Sequence, residues 1–285
     1  MPSRDDGAVD VRRRFGGGPA TGALSAGLVV VVVGVLLYVV RDAAYRATAS
    51  GAVALPSVVG GFFEVVGELG LVVLVGVAAL LTWRARSRGL EHLAVAAVAA
   101  VSAVAAYVLS EVVKGFVREE RPCRTLSVHT VAACPAPGDW AWPSNHATIA
   151  GALTTAIVIL SPVWWRLAVP LALAVGASRV LTGAHYWHDV VAGLAVGVVV
   201  VWFGTWALAP TAHRLLERSL ASGPPQWRRL LGQGYVPRYA VPDLPEDGAD
   251  RDPGALEHPG EHPGEHPGEH PGEHWDEQSD EHRAD

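Results

Sequence analysis

Six apolar stretches, 23–40, 62–83, 90–113, 146–160, 164–181 and 189–209, constrain this chain more than any other feature. A bilayer core about 30 Å thick is crossed by about 20 mostly apolar residues as helix, and lipid offers no water to an unpaired backbone. The pattern predicts an all-α polytopic membrane protein built as a six-transmembrane-helix bundle. Half of the residues are apolar, more than an ordinary soluble domain accommodates. The fourth stretch is short unless it runs on to Trp164, and Pro162 predicts a break there. Glu64 and Glu68 stand one helical turn apart in the second stretch. Carboxylates are costly in lipid, so they are expected to face the bundle or a headgroup layer.

Orientation follows from the loops, because cytoplasmic loops carry the excess of basic residues. Arg12, Arg13 and Arg14 precede the first stretch, Arg84, Arg86 and Arg88 follow the second, and Arg214, Arg218, Arg228 and Arg229 follow the sixth. With six spans all three groups fall on one side, which places both termini in the cytoplasm of a multi-pass cell-membrane protein. The loops after the first, third and fifth spans then face outward. The loop 114–145 holds Lys114, Arg118, Arg121 and Arg124 on the disfavoured side. Either a strongly anionic ligand or the counter-charges Glu119 and Glu120 must account for them. The first stretch is read as an uncleaved span; cleavage as a signal peptide after "ATASG" would leave the later loops outside.

The expected organisation is a cytoplasmic segment 1–20, a membrane domain 21–210, a juxtamembrane segment 211–240 and a tail 241–285. The juxtamembrane segment carries arginines on an amphipathic pattern and suits the inner leaflet. The tail is acidic and repeats EHPG four times over 257–272. Pro and Gly in every copy prevent a helix or a packed core, so disorder is expected, and its histidines are read as solvated rather than as a metal trap. Cys123 and Cys134 share the long outward loop. Oxidising surroundings permit a disulfide between them, with two free thiols as the alternative. Neither sits in a ligand-spaced His/Cys cluster, so zinc is not expected.

Residues able to do chemistry concentrate in three outward segments: KGFVREERP at 114–122, WPSNHA at 142–147 and ASRVLTGAHYWHD at 177–189. Lys114 is the single lysine among 22 basic residues. With Arg121 and Arg179 it offers three positive charges, and arginine adds a planar fork that matches phosphate oxygens. A lysine places a compact charge where a fork does not fit. Ser144 adds a hydroxyl, and the segment from Ser144 opens a helix whose free N–H groups favour an anion. His185 and Asp189 are four apart, so on a helix the carboxylate accepts an imidazole N–H and fixes its tautomer. Such an imidazole can attack phosphorus, and His146 can protonate the leaving group and then activate water. Each residue also has a plainer reading. His185, Trp187 and His188 suit a headgroup belt, Arg179 can snorkel to lipid phosphate, and Asp189 can cap a helix. His129 and His188 have no partner visible in the sequence and are given no role.

The three segments together resemble the signature of the type 2 phosphatidic acid phosphatase family, K-x6-R-P, P-S-G-H and S-R-x5-H-x3-D, in that order and over roughly residues 20–210. The resemblance implies a helical bundle with its site at the extracytoplasmic surface. It implies His185 as nucleophile, Asp189 as its orienting partner, His146 as acid, and Lys114, Arg121, Ser144 and Arg179 as phosphate ligands. Asn145 replaces the motif glycine; it can offer the same backbone N–H if its φ stays in an ordinary region. The implied activity is that of a lipid phosphate phosphatase working without metal or other cofactor on a lipid in the bilayer. A polyprenyl diphosphate is favoured, and phosphatidic acid, phosphatidylglycerophosphate and lysolipid phosphates stay open. Vanadate haloperoxidases share the signature, but they are soluble helical proteins. A transporter or non-catalytic scaffold holding anionic lipid is the reading from a different class. Nothing points to nucleic acid, and small-residue helix faces permit oligomers without specifying them.

Overall fold

The computed structural model describes residues 20–222. The expectations for 1–19, for the juxtamembrane segment beyond Ser222 and for the EHPG tail lie outside the described residues. Within them the chain is helical, with α1 at Ala20–Val39, α2 at Arg41–Val53, α3 at Ser57–Ala85, α4 at Leu90–Val117, α5 at Pro122–Thr125, α6 at Asn145–Leu160, α7 at Trp165–Leu181 and α8 at Trp187–Ser222.

Every predicted apolar stretch falls in one of these helices, but six full spans do not follow. Four stretches are long and apolar enough to cross a membrane, Ser57–Ala85, Leu90–Thr125, Pro162–Leu181 and Trp187–Ser222, or up to five if the bent pair Gly27–Val39 and Arg41–Val53 is one span. The remaining helix, α6, has 16 residues, about 24 Å of rise, short of a hydrocarbon core. A 3-10 turn at Pro162–Trp164 follows it, in keeping with the break expected at Pro162. Helix α2 was not foreseen. It turns 76° from α1 and buries Tyr45, Ala49 and Ala52. Helix α8 also runs through Pro210 to Ser222, past the boundary drawn at residue 210.

The interior is built from small residues and a few branched ones. Leu74, Leu81, Ile157 and Val175 form one cluster with alanines from neighbouring helices. Large apolar side chains such as Phe62, Val72, Val101, Val104, Phe116 and Phe203 point outward, the surface that lipid rather than water would cover. The chain is a membrane protein on this architecture. The most extensive packing joins α8 to α6 and to α4. At the α6–α8 seam glycines let the backbones nearly touch: a Cβ at Gly193 would meet Ser144 O at 2.5 Å, and one at Gly197 would meet Thr148 O at 2.2 Å. That seam brings the start of α6 against the start of α8.

Candidate active site

The eight residues singled out for phosphate chemistry meet where the C-terminal ends of α4 and α7 face the N-terminal ends of α6 and α8. Lys114 lies in the last turns of α4, Arg121 caps α5, Ser144 caps α6, Arg179 sits in the last turn of α7, and Asp189 is in the first turn of α8. Arg118 ends α4 in the left-handed region, with its N–H donating to Lys114 O at 2.9 Å, which turns the chain toward Arg121. Gly183, at φ 90°, makes the turn after α7. Tyr45 of α2 donates its hydroxyl to Gly183 O at 2.8 Å, and Trp187 Nε1 donates to Thr48 at 3.1 Å. Helix α2 thus braces the loop that carries His185.

The geometry around His185 settles its tautomer. Arg121 Nη1 lies 3.0 Å from His185 Nε2, and a guanidinium can only donate. Nε2 is therefore the unprotonated nitrogen, and Nδ1 carries the proton toward Asp189 Oδ2 at 3.2 Å. The same carboxylate oxygen accepts the Tyr186 N–H at 2.9 Å. His185 and Asp189 are both buried. Burial first, then Arg121, Lys114, Arg179 and His146, hold the His185 pKa well below its ordinary value. A neutral imidazole with a free lone pair on Nε2 results.

Three cations surround this nitrogen, and each carries one carboxylate: Lys114 Nζ is 3.6 Å from Glu111, Arg121 Nη2 is 2.8 Å from Asp139, and Arg179 Nη1 is 3.7 Å from Glu68. Arg121 is held hardest. It donates in addition to Asp139 O at 2.8 Å and to Ala184 O at 2.9 Å. Ser144 Oγ and Arg179 Nε are buried without a hydrogen-bond partner. His146 Nε2 is 3.1 Å from the same Glu68 oxygen that faces Arg179. Asn145 opens α6 and is absent from the positive-φ residues, so its backbone keeps the ordinary conformation that the glycine replacement required. Its side chain is turned to α4, accepting from Ser110 at 2.7 Å and donating to Glu111. The structure joins Cys123 and Cys134 with Cα atoms 5.9 Å apart.

Sequence reasoning missed two contributors. Glu68 was expected only to face the bundle or a headgroup layer, with no partner named; its partners lie 78 residues and more away. His188 was given no role, yet it is buried, with Nε2 3.1 Å from Asp189 Oδ1 and 3.4 Å from Glu119 Oε2. Arg41 of α2 in turn meets Glu119 at 3.2 Å, and His188 stacks on Tyr186. Among the described residues, Glu119, His188 and Asp189 offer ligand atoms within 4.8 Å of one another, but Arg41 and His185 already occupy their other charged atoms. A cavity of about 1030 Å³ between α1 and α8 reaches His188 and Glu119, and its walls include none of Lys114, Arg121, Ser144, Arg179 or His185. This hollow thus lies behind His185, not at it. His129 is exposed.

Comparison with known proteins adds a family match. Residues 94–212 match the PAP2 superfamily. The resemblance drawn from the three motifs is borne out over that PAP2 segment, which contains all eight residues. An undecaprenyl-diphosphatase of Sulfolobus acidocaldarius is 37% identical over 93 residues, covering 32% of this chain and 45% of the relative. A lipid A 1-phosphatase of Rhizobium johnstonii is 30% identical over 160 residues, covering 55% of this chain and 64% of the relative. Its counterpart in Rhizobium etli is 29% identical over 178 residues, covering 61% and 71%. The chain therefore spans about half to two thirds of the first two relatives. A solved PAP2-type phosphatidylglycerolphosphate phosphatase of Bacillus subtilis covers 64% of this chain at 18% identity and a TM-score of 0.46, with 92% of that structure aligned.

Proposed function

We propose that this protein is an integral-membrane lipid phosphate phosphatase, acting at the extracytoplasmic face on a phosphate ester or diphosphate of a membrane lipid without a metal ion. The observation that carries the reading is the His185 contact set: Nδ1 toward Asp189, Nε2 unprotonated, and a guanidinium on that nitrogen. The PAP2 match and the phosphatase names of the relatives support it.

The chemistry runs in two steps. His185 Nε2 attacks phosphorus, the bond from phosphorus to the leaving oxygen breaks, and His146 gives that oxygen a proton. Imidazolium charge forming at His185 is met by Asp189. Water then attacks the phosphohistidine, His146 takes the water's proton, and inorganic phosphate departs as Nε2 is restored. Lys114, Arg121, Arg179 and the Ser144 hydroxyl hold the non-bridging oxygens, with the N–H groups opening α6. Arg121, whose N–H meets the lone pair of Nε2 in the free site, turns that N–H to a phosphoryl oxygen as substrate enters and keeps its charge. The arginines at 84–88 and at 214–218, at the ends of the helices away from the site, support a cytoplasmic face there and an extracytoplasmic placement of the site.

A polyprenyl diphosphate is the favoured substrate, in line with the undecaprenyl-diphosphatase among the relatives. Purified protein without added metal, offered polyprenyl mono- and diphosphate, phosphatidic acid, phosphatidylglycerophosphate and a lipid A 1-phosphate, is scored for phosphate release. Fastest release from the polyprenyl diphosphate is expected. Release from none of them overturns the enzymatic reading.

A further inference from the structure

Of the carboxylates that neutralise the three site cations, two are tied in place. Asp139 accepts from Arg121 at 2.8 Å while its own carbonyl accepts a second guanidinium N–H. Glu111 sits three residues before Lys114 on one helix and also takes the amide of Asn145. Glu68 differs. It comes from α3, its oxygen is shared between His146 at 3.1 Å and Arg179 at 3.7 Å, and its side chain is 67% exposed against 17% for Arg179. Its backbone is fixed nonetheless, because a Cβ on the preceding Gly67 would stand 2.8 Å from Ser178 Oγ. A rigid anchor thus carries a loosely held carboxylate to the acid and to one phosphate ligand at once.

We propose that Glu68 is a displaceable stand-in for the phosphoryl group: it holds Arg179 and His146 while the site is empty and gives way when a tetrahedral anion enters. The inference rests on the anion-site part of the function proposed above. Physical chemistry supplies the reason for such a group. A buried guanidinium without a counter-charge is costly, so the empty site needs an anion. One carboxylate oxygen cannot also serve Ser144 Oγ and Arg179 Nε, both buried without partners. A phosphoryl group brings three non-bridging oxygens and can satisfy donors that Glu68 leaves unmet. Displacement also frees His146 Nε2 to face the leaving oxygen. Glu68 therefore weakens anion binding, and it penalises ligands in proportion to how poorly they replace it at both Arg179 and His146.

The sign of the effect separates this from a positioning role. If Glu68 only oriented Arg179 or His146, removing it would loosen the site. As a competitor, removing its charge tightens the site. The experiment compares wild type, Glu68→Gln and Glu68→Ala in detergent, with orthovanadate and orthophosphate as probes. Anion binding is read by the rise in Tm with probe concentration, and as Ki against a lipid phosphate wherever turnover is present. Both variants are expected to bind each probe about threefold or more tightly, the size set by one partly exposed ion pair. Affinity unchanged or weakened in both variants overturns the proposal. A tightened affinity in protein that hydrolyses none of the lipids keeps the exchange and removes the phosphatase reading. Turnover in all three proteins with unchanged probe affinity does the reverse.

Discussion

Arg121 Nη1 lies 3.0 Å from His185 Nε2, so a side chain expected to hold phosphate already touches the nitrogen expected to attack it. Arg121 also spans Asp139 and Ala184, contacts that need a planar fork. Arg121→Lys should lower kcat/KM by about 100-fold or more, the size typical of losing a preorganised donor at a developing charge. Steady-state kinetics with a lipid phosphate checks it. A loss confined to KM would mean that the fork serves ground-state binding alone.

His185→Ala should cut turnover by at least about 10,000-fold while lipid phosphate still binds, because the residues acting on phosphorus work as a unit. Acid-quenched wild type given a labelled substrate should retain label on histidine, and the variant none. Equal labelling of the two proteins would place the nucleophile elsewhere.

His188 touches the oxygen of Asp189 that His185 does not use. His188→Gln should lower kcat by about 10-fold with little change in KM, because it removes the imidazole beside a buried carboxylate oxygen that has no hydrogen-bond partner. A structural role alone would lower Tm and leave the kcat of folded protein intact, so both are measured on the same preparation.

Lys114 is buried, with Arg121 and Asp139 as charged neighbours. Lys114→Arg adds a planar fork where a compact ammonium fits, and overpacking of this kind costs about 1–3 kcal/mol. Turnover is expected to fall about tenfold or more. Full activity in this variant would leave the lone lysine without a physical reason.

Acidity acts on two groups in the same direction. His185 must be neutral to attack, and its pKa is held well below the ordinary histidine value by burial and the nearby cations. Its protonation therefore sets no loss of turnover near pH 6.5, and the acid limb of wild type that belongs to this group lies lower. In the unfolded chain the same imidazole titrates near about 6.5, so acidification below that value draws stability from the fold until the folded pKa is reached. Asp139 shifts stability in the same direction, from a different cause. Burial pushes its carboxyl up, but the Arg121 hydrogen bond and charge, with Lys114 and His185, outweigh it and hold it below the usual range. Its contribution is complete above about pH 4 and fades as pH falls through the folded value. Asp139→Asn should thus lower Tm at neutral pH, with the gap to wild type closing under acid. A gap that stays constant with pH would assign the loss to packing.

The residues proposed to carry the chemistry were legible because their spacing is local: four residues bring His185 onto Asp189, and three adjacent positions open α6. What stayed hidden depends on contacts between distant segments. Glu68 and His146 are 78 residues apart, and nothing in a single helix announces that pairing. His188 reads as one more aromatic-belt residue until Glu119 and Arg41 arrive from two other elements. Helix α2 escaped notice for a different reason. RDAAYRATASGAV has too few large apolar side chains to read as a span, and its fold comes from tertiary packing of Tyr45 rather than from periodicity. Of the six expected spans, α6 does not reach full length: it is apolar yet only 16 residues long, and its alanines and glycines are used against α8.

The glycine seam between α6 and α8 has a mechanical consequence. With Ser144 O and Thr148 O set directly against Gly193 and Gly197, no flexible side chain lies between the two backbones to absorb displacement. The helices that carry His146 and Asp189 are thereby locked to each other. Any give that admits a lipid must then come from outside that pair, and at Glu68 it lies in the exposed side chain rather than in α3, whose backbone is pressed against α7 at Gly67.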